Sequence, residues 1–327
     1  MLITIAIPCY RSSKTLPFVV SEIREAFAQQ DTYDYQIVLV NDGSPDDGAT
    51  YHTIRSLCAE DHRITGVDLS RNFGQQTAKM AALPYVHGEI LVYMDDDGQH
   101  PATGIFILAE KICEGYDVVY AEFSRKKASV FKKITSWLHG KIAEWNGTRP
   151  KGVSISSFEA WSRLCVDAGR TYHSPFPSST GFLSKITTRF ANVDIEHRER
   201  KEGRSGYNFK RLFSLWLMCF TNFSVMPLRI VDVFGVVAAC IGMLMSVILI
   251  IQKLINPHVV AGYTSLMAVL LIVSGIMMLA LGLTGEYIGR MYMILSDMPQ
   301  YMVREAVNAP KAEPDSEKTV EVSGEAR

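Results

Sequence analysis

Several common functional signatures are missing from this 327-residue chain. Its six cysteines form no Cys-x-x-Cys pair, which predicts reduced, mostly buried thiols rather than a disulfide scaffold. There is no Gly-x-Gly-x-x-Gly fingerprint and no P-loop lysine, so NAD chemistry and phosphoryl transfer from ATP lack their usual phosphate cradles. The formal net charge of -1 gives no general affinity for nucleic acid.

A signal peptide is also missing, because the apolar run Leu2–Ile7 is short and leads directly into Pro8. We therefore expect the amino-terminal part in the cytoplasm. Two later apolar stretches, residues 230–251 and 264–284, reach the roughly 20 residues needed to cross a bilayer core. Basic residues flank their outer ends, which predicts a hairpin of two membrane spans with both chain termini in the cytoplasm.

The first half of the chain alternates short β-type runs with stretches long enough for helices. This order predicts an α/β domain with a mostly parallel sheet and helices on both faces. The predicted strands are Leu2–Ile7, Gln36–Val40, Ile64–Leu69, Ile90–Met94 and Val118–Ala121. The predicted helices are Leu16–Gln29, Tyr51–Ala59, Gln75–Val86 and Thr103–Glu114.

Three consecutive carboxylates, Asp95, Asp96 and Asp97, follow the fourth predicted strand. Like charges this close raise one another's pKa, so a divalent cation would stabilise them. Carboxylates with the Gln99 amide offer oxygen ligands, which suit Mg²⁺ or Mn²⁺ better than zinc. A solvated acidic turn is the alternative. Three other strands also end in polar or glycine-bearing tips at the same predicted edge, and this convergence favours the cation site.

A cation beside such loops suits a nucleotide diphosphate, because it would stabilise the charge that develops when the diphosphate leaves. Asp42 lies on an Asp-Gly-Ser turn, where its carboxylate could accept from a base N–H or a ribose hydroxyl. Transfer of a sugar from a nucleotide sugar therefore fits the sequence better than ATP or NAD chemistry.

Six short motifs occur along the chain in an order and spacing typical of one enzyme family. They are Ile7–Tyr10, Asn41–Asp46, Arg71–Gln75, Asp95–Pro101, Arg200–Ser205 and Gly285–Arg290. Together they resemble the motifs of family 2 glycosyltransferases that act on polyprenyl phosphates, such as dolichyl-phosphate mannose synthases, bactoprenol glucosyltransferases and undecaprenyl-phosphate aminoarabinose transferases. The resemblance covers roughly Leu2 to Tyr301. It implies an inverting, metal-dependent transfer of a sugar from a nucleotide diphosphate, UDP in particular, to undecaprenyl or another polyprenyl phosphate.

The resemblance also implies a GT-A fold, in which a strand-end Asp-x-Asp motif binds the metal and the diphosphate. At the matching positions of this sequence, the resemblance implies that the metal ligands are Asp95, Asp97 and Gln99. The nucleotide-binding residues are Pro8, Tyr10, Asp42, Arg71 and Asp95, and the catalytic residues are Asp95, Asp97 and Arg200. Asp96 takes the variable position and is predicted to face solvent.

The acceptor follows from two basic segments of the chain. A phosphate acceptor is already an anionic nucleophile, so it needs cations that hold it in line rather than a general base. The predicted acceptor-binding residues are Arg125, Lys132, Lys133, Arg200, Arg204 and Ser205. Many relatives carry a lysine where this chain has Gly206, and we expect Arg204 to supply the missing charge.

The predicted organisation has five parts. They are a cytoplasmic GT-A domain (1–208), an amphipathic juxtamembrane helix (209–228), a two-helix transmembrane hairpin (229–285), a cytoplasmic juxtamembrane helix (286–308) and a disordered tail (309–327). We expect a multi-pass protein of the inner (cytoplasmic) membrane, in contact with the lipid bilayer and, by family precedent, oligomeric.

Two other functions fit the sequence less well. A processive polysaccharide synthase is disfavoured, because no Gln-x-x-Arg-Trp motif follows the acidic triplet and two spans are too few for a channel. A non-catalytic membrane scaffold with a degenerate transferase domain is disfavoured by the intact Asp95-x-Asp97-x-Gln99 pattern.

Overall fold

A mixed eight-stranded sheet with helices on both faces forms the centre of the molecule. The computed structural model describes residues 1–123, 150, 152–195, isolated positions between 233 and 255, 262–296 and 299–309. The strands lie in the order β7-β5-β6-β4-β1-β2-β3-β8, numbered along the chain.

The amino-terminal part alternates strands and helices as predicted. Its strands are β1 (Leu2–Cys9), β2 (Asp34–Asn41), β3 (Ile64–Leu69), β4 (Ile90–Tyr93) and β5 (Val118–Phe123). Its helices are α1 (Leu16–Ala28), α2 (Ala49–Glu60), α3 (Gln75–Ala82) and α4 (Gly104–Cys113), with a 3-10 turn at Leu83–Tyr85. All nine predicted elements are confirmed, with ends that shift by a few residues.

Six further elements follow in the rest of the described chain. They are β6 (Glu159–Ser162), α5 (Arg163–Arg170), α6 (Ser179–Ile186), β7 (Phe190–Ile195), α7 (Tyr263–Leu295) and β8 (Val303–Val307). β6 lies antiparallel between β4 and β5, and β8 lies antiparallel to β3. The strands pair in parallel among β4, β1, β2 and β3 and between β5 and β7, so the sheet is mixed rather than mostly parallel. Both β6 and β8 are short and partly polar, so no apolar run marks them in the sequence.

Each face of the sheet buries its own apolar core. Ile3, Ile5 and Ile7 of β1 belong to a core formed with α1, α2 and α4. Ala6, between them, belongs to a second core formed with α3, α5 and α6. A strand covered on both faces is apolar nearly throughout instead of alternating, which is why Leu2–Ile7 is recognisable in the sequence. The two layers of helices hold the central strands rigidly and so fix the position of their carboxyl ends.

The carboxyl-terminal part differs from the prediction at one place. The helix expected over residues 286–308 ends at Leu295, and the chain then forms β8 on the edge of the sheet. Pro299 follows the end of the helix, and proline cannot continue one. The predicted second span, residues 264–284, lies within α7. The predicted amphipathic helix, most of the first span and the tail after residue 309 lie outside the described residues.

Among the residues that the structure describes, no helix combines the length and the apolar character required of a membrane span.

Candidate active site

The carboxyl ends of β4, β1, β2 and β3 lie side by side, and the turns that follow them are joined by hydrogen bonds. Tyr10 N, after β1, donates to Oδ2 of Asp96 after β4 across 3.0 Å. Gln75 Nε2, after β3, donates to Oδ1 of Asp95 across 2.8 Å. The predicted convergence of the four strand tips on one crevice is therefore confirmed.

Asp95 is held on both sides of its carboxylate. Its Oδ1 accepts from Gln75, and its Oδ2 accepts from the Ser157 hydroxyl at 2.6 Å. The side chain keeps 25% of its surface exposed toward the crevice. A carboxylate offers about four lone-pair positions, so two hydrogen bonds orient Asp95 and still leave it able to bind a cation.

His100 packs against the buried side of the acidic turn. Its ring stacks on Phe158 and Phe123, with centroid distances of 4.7 and 5.6 Å, and it is buried. Its Nδ1 accepts a hydrogen bond from Asp95 N at 3.1 Å, which requires that this nitrogen carry no proton. The sequence included His100 in a motif but assigned it no role, and the structure shows that it supports the backbone of Asp95.

Asp96 does not face solvent, so that prediction is wrong. Its Oδ2 accepts from Tyr10 N, and the side chain is only partly accessible. Burial raises the pKa of Asp96 to about 6 and outweighs the opposite effect of that hydrogen bond, while Asp95 and Asp97 add to the rise. The physical reason is that the β1 tip, far away in sequence, comes over this carboxylate and supplies the donor.

The remaining members of the predicted metal site lie on the same turn. Asp97 Oδ1 accepts from Gln99 N at 3.1 Å, which stabilises the turn. Asp95, Asp97 and Gln99 together provide an oxygen-only donor set, and this fits Mg²⁺ or Mn²⁺ rather than zinc. Within the described part of the chain, no three or more His, Cys, Asp or Glu side chains come together as a metal cluster. Two carboxylates and one amide are what the protein itself would offer here.

Asp42 anchors the loop that follows β3. Its Oδ1 accepts from Phe73 N at 2.7 Å and its Oδ2 accepts from Gly74 N at 2.9 Å. Burial raises the pKa of Asp42 despite these two bonds. The sequence predicts a contact between this carboxylate and a nucleotide. In the structure its two oxygens hold the loop, and the contact with a nucleotide stays a prediction.

The turn after β2 packs against the backbone of the same loop. Gly43 has a φ of +55°, and a Cβ atom at this position would overlap the backbone of Arg71 and Asn72. Only glycine satisfies both conditions. The Arg71 guanidinium lies 4.5 Å from the centre of the Phe73 ring, and its side chain is exposed.

The other predicted site residues divide into two groups. Pro8 is buried near the end of β1, whereas Tyr10 is exposed beside the acidic turn. The predicted acceptor-binding residues Arg125, Lys132, Lys133, Arg200, Arg204 and Ser205 lie outside the described residues.

A surface cleft of about 830 Å³ lies elsewhere, at the amino-terminal edge of β2. Arg63 and Asp61 in its wall form a two-pronged ion pair with both distances at 3.0 Å. We assign the candidate site to the strand tips instead, because ligands of parallel sheets bind at the carboxyl ends of the strands.

Comparison with known proteins identifies the family to which the chain belongs. Residues 4–163 match the profile of "Glycosyl transferase family 2", and residues 226–291 match the "GtrB C-terminal hairpin". The chain is 31% identical over 311 residues to the undecaprenyl-phosphate 4-deoxy-4-formamido-L-arabinose transferase of Klebsiella pneumoniae (strain 342), covering 94% of each chain. It is 33% identical over 314 residues to the protein of the same name from Enterobacter sp. (strain 638), again covering 94% of each.

Solved structures show the same fold at greater distance. Glucosyl-3-phosphoglycerate synthase from Mycobacterium tuberculosis, in complex with UDP, matches with a TM-score of 0.50 and 17% identity. The match covers 67% of this chain and 77% of that one. The same enzyme with Mn²⁺ and UDP-glucose also gives a TM-score of 0.50 at 17% identity, over 67% and 76% of the two chains. At this identity the likeness establishes the architecture of the sheet domain.

Proposed function

Because this chain belongs to the family 2 glycosyltransferases that act on polyprenyl phosphates, we propose that it transfers a sugar from UDP to undecaprenyl or another polyprenyl phosphate. One observation carries the proposal. The four strand tips meet at an accessible pair of carboxylates, Asp95 and Asp97, beside the loop that Asp42 anchors. The names of the relatives supply the class of acceptor.

On the donor side, Asp95, Asp97 and Gln99 would hold Mg²⁺ or Mn²⁺. When bound, the cation neutralises the charge that develops on the diphosphate. Arg71 is exposed on the loop that Asp42 anchors, and its guanidinium can offer paired donors to a phosphate. Tyr10 contributes an exposed ring next to the same turn, where a nucleotide base can stack.

On the acceptor side, no general base is needed. An oxygen of the lipid phosphate attacks the anomeric carbon while the bond from that carbon to UDP breaks on the opposite face, so the configuration inverts. The predicted acceptor-binding residues remain Arg125, Lys132, Lys133, Arg200, Arg204 and Ser205, of which the five arginines and lysines supply positive charge.

We further propose that the hairpin attaches the enzyme to the cytoplasmic membrane, with the catalytic domain and both termini on the cytoplasmic side and copies packed together as oligomers. The match of residues 226–291 to a hairpin profile supports this. So does α7, where Met278 and Leu281 are 72% and 65% exposed, since a row of exposed apolar side chains is typical of a surface that contacts lipid or another protein.

The direct test is transfer by the purified full chain in liposomes that contain undecaprenyl phosphate, supplied with a panel of labelled UDP-sugars. We expect a labelled lipid whose formation stops on addition of EDTA and resumes with excess Mn²⁺. A labelled polymer would instead indicate a polysaccharide synthase. Absence of turnover with every sugar and metal would indicate a scaffold.

A further inference from the structure

A buried ion pair lies behind the acidic turn. Lys79 Nζ on α3 is 2.6 Å from Glu159 Oε1 on β6, and the two side chains are 3% and 1% exposed. Removing both charges from water is costly, and apolar residues of similar size often replace such a pair without loss of stability. The pair is therefore poorly explained by stability alone.

The ion pair is connected to Asp95 through a single residue. Lys79 Nζ also donates to the carbonyl oxygen of Ser157 at 3.4 Å. The hydroxyl of Ser157 in turn donates to Oδ2 of Asp95 at 2.6 Å. Glu159, two residues after Ser157, pairs directly with Tyr93 of β4, two residues before Asp95. The segment that carries Ser157 is thus held against the acidic turn from both sides.

Helix α3 contributes to both oxygens of the carboxylate. Gln75 and Lys79 are four residues apart and so lie on the same face of the helix. Gln75 donates directly to Asp95 Oδ1, and Lys79 acts on Oδ2 through Ser157. Tyr93 adds a further tie, because its hydroxyl donates to the backbone oxygen of Lys79 at 2.9 Å.

We propose that Lys79 and Glu159 are positioning residues, which hold Ser157 so that it orients the Asp95 carboxylate toward the cation and diphosphate. The inference rests on the proposed function of Asp95 as a metal ligand. Groups that orient a metal ligand through hydrogen bonds typically change metal affinity by about tenfold or more when they are removed.

The first test removes one hydroxyl. Mn²⁺ binding to the full chain in detergent, with saturating UDP, is measured by electron paramagnetic resonance of the free ion. We expect Ser157→Ala to weaken Mn²⁺ binding about tenfold. Ser184→Ala is the matched control, since it also loses one hydroxyl bond, to Thr180 O at 2.8 Å, away from the acidic turn. Equal affinity in Ser157→Ala and in the parent would overturn the proposal.

The second test removes the ion pair without leaving an unpaired charge. In the double variant Lys79→Met with Glu159→Met, we expect the melting temperature to stay within a few degrees of the parent while Mn²⁺ affinity falls about tenfold. Adding Ser157→Ala to this variant should cause little further loss, because all three residues act on one oxygen. Unchanged affinity in the double variant, or a further tenfold loss in the triple variant, would overturn the proposal.

The outcomes separate this inference from the proposed function. If the parent binds Mn²⁺ and UDP and the variants weaken that binding, the positioning role stands even where no sugar reaches the lipid. If the parent transfers sugar while the variants bind Mn²⁺ normally, only the positioning role fails. A parent chain that binds no Mn²⁺ in the presence of UDP would also overturn the positioning role.

Discussion

Gln75 Nε2 donates to Asp95 Oδ1 across 2.8 Å, which joins the first turn of α3 to the acidic turn after β4. The bond connects the loop that follows one strand tip to the proposed metal ligand on another. Removing it should free the carboxylate to rotate. We expect Gln75→Leu to lower kcat/KM for sugar transfer about tenfold. Gln76→Leu is the control, because Gln76 bonds to Ser179 N instead and should leave kcat/KM within about twofold.

The three consecutive aspartates should differ sharply in their sensitivity to substitution. Asp95→Asn and Asp97→Asn each remove a charged ligand, and we expect transfer to fall by about 100-fold or more. Asp96→Asn should cost about threefold or less, because an amide oxygen can still accept from Tyr10 N. Initial rates at saturating Mn²⁺ test this order. A loss in Asp96→Asn as large as in Asp97→Asn would show that Asp96 is itself a ligand.

Gly43 should tolerate no side chain. In Gly43→Ala the Cβ atom would displace the backbone of Arg71 and Asn72, so we expect UDP affinity to fall by about tenfold or more. Gly115→Ala is the matched control, because Gly115 also has a positive φ, +103°, but open space around it. It should cost about 1 kcal/mol of stability and leave UDP binding unchanged. Calorimetric titration with UDP distinguishes the two. Equal UDP affinity in both variants would mean that the loop does not depend on this contact.

The ion pair of Arg63 and Asp61 predicts a dependence of stability on pH. Burial by itself raises the pKa of Asp61, but hydrogen bonds from Arg63 and Tyr35 outweigh it and lower that pKa to about 2. A carboxyl group of lowered pKa stabilises the fold above its unfolded pKa of about 4, and this contribution disappears as the pH falls toward 2. Asp61→Asn should therefore cost about 2 kcal/mol at pH 7 and much less at pH 2.

Melting of the full chain, followed by intrinsic fluorescence, tests this prediction. We expect Asp61→Asn to melt about 5 °C below the parent at pH 7, with a gap that narrows steadily below pH 4. The control is Asp34→Asn, since Asp34 also lies near Arg63, at 3.8 Å, but its side chain is 70% exposed, so its charge should contribute little. A gap of the same size at pH 7 and pH 2 would show that the charge of Asp61 is not the cause.

Much of the fold follows from the apolar runs. Helices α1 to α4 are recognisable because each lies against one of the two cores, so its apolar residues recur at regular spacing. The central strands lie between both cores and are recognisable as nearly continuous apolar runs. β6 and β8 give no such signal. β8 joins the sheet by pairing with β3, whose residues lie more than 200 positions earlier in the chain, and no local pattern reports that partner.

Part of the candidate site can likewise be predicted from the sequence, and part of it cannot. The position of the strand-tip motifs at one edge follows from the amino-acid sequence, because the ends of parallel strands share that edge and the motifs lie at those ends. The orientation of their side chains becomes visible in the folded chain, where Asp95 accepts from Gln75 and Ser157 and Asp96 accepts from Tyr10. The physical reason is that a carboxylate takes its direction from its hydrogen-bond donors. Here the donors come from other strand tips, and the folded sheet alone brings them within reach.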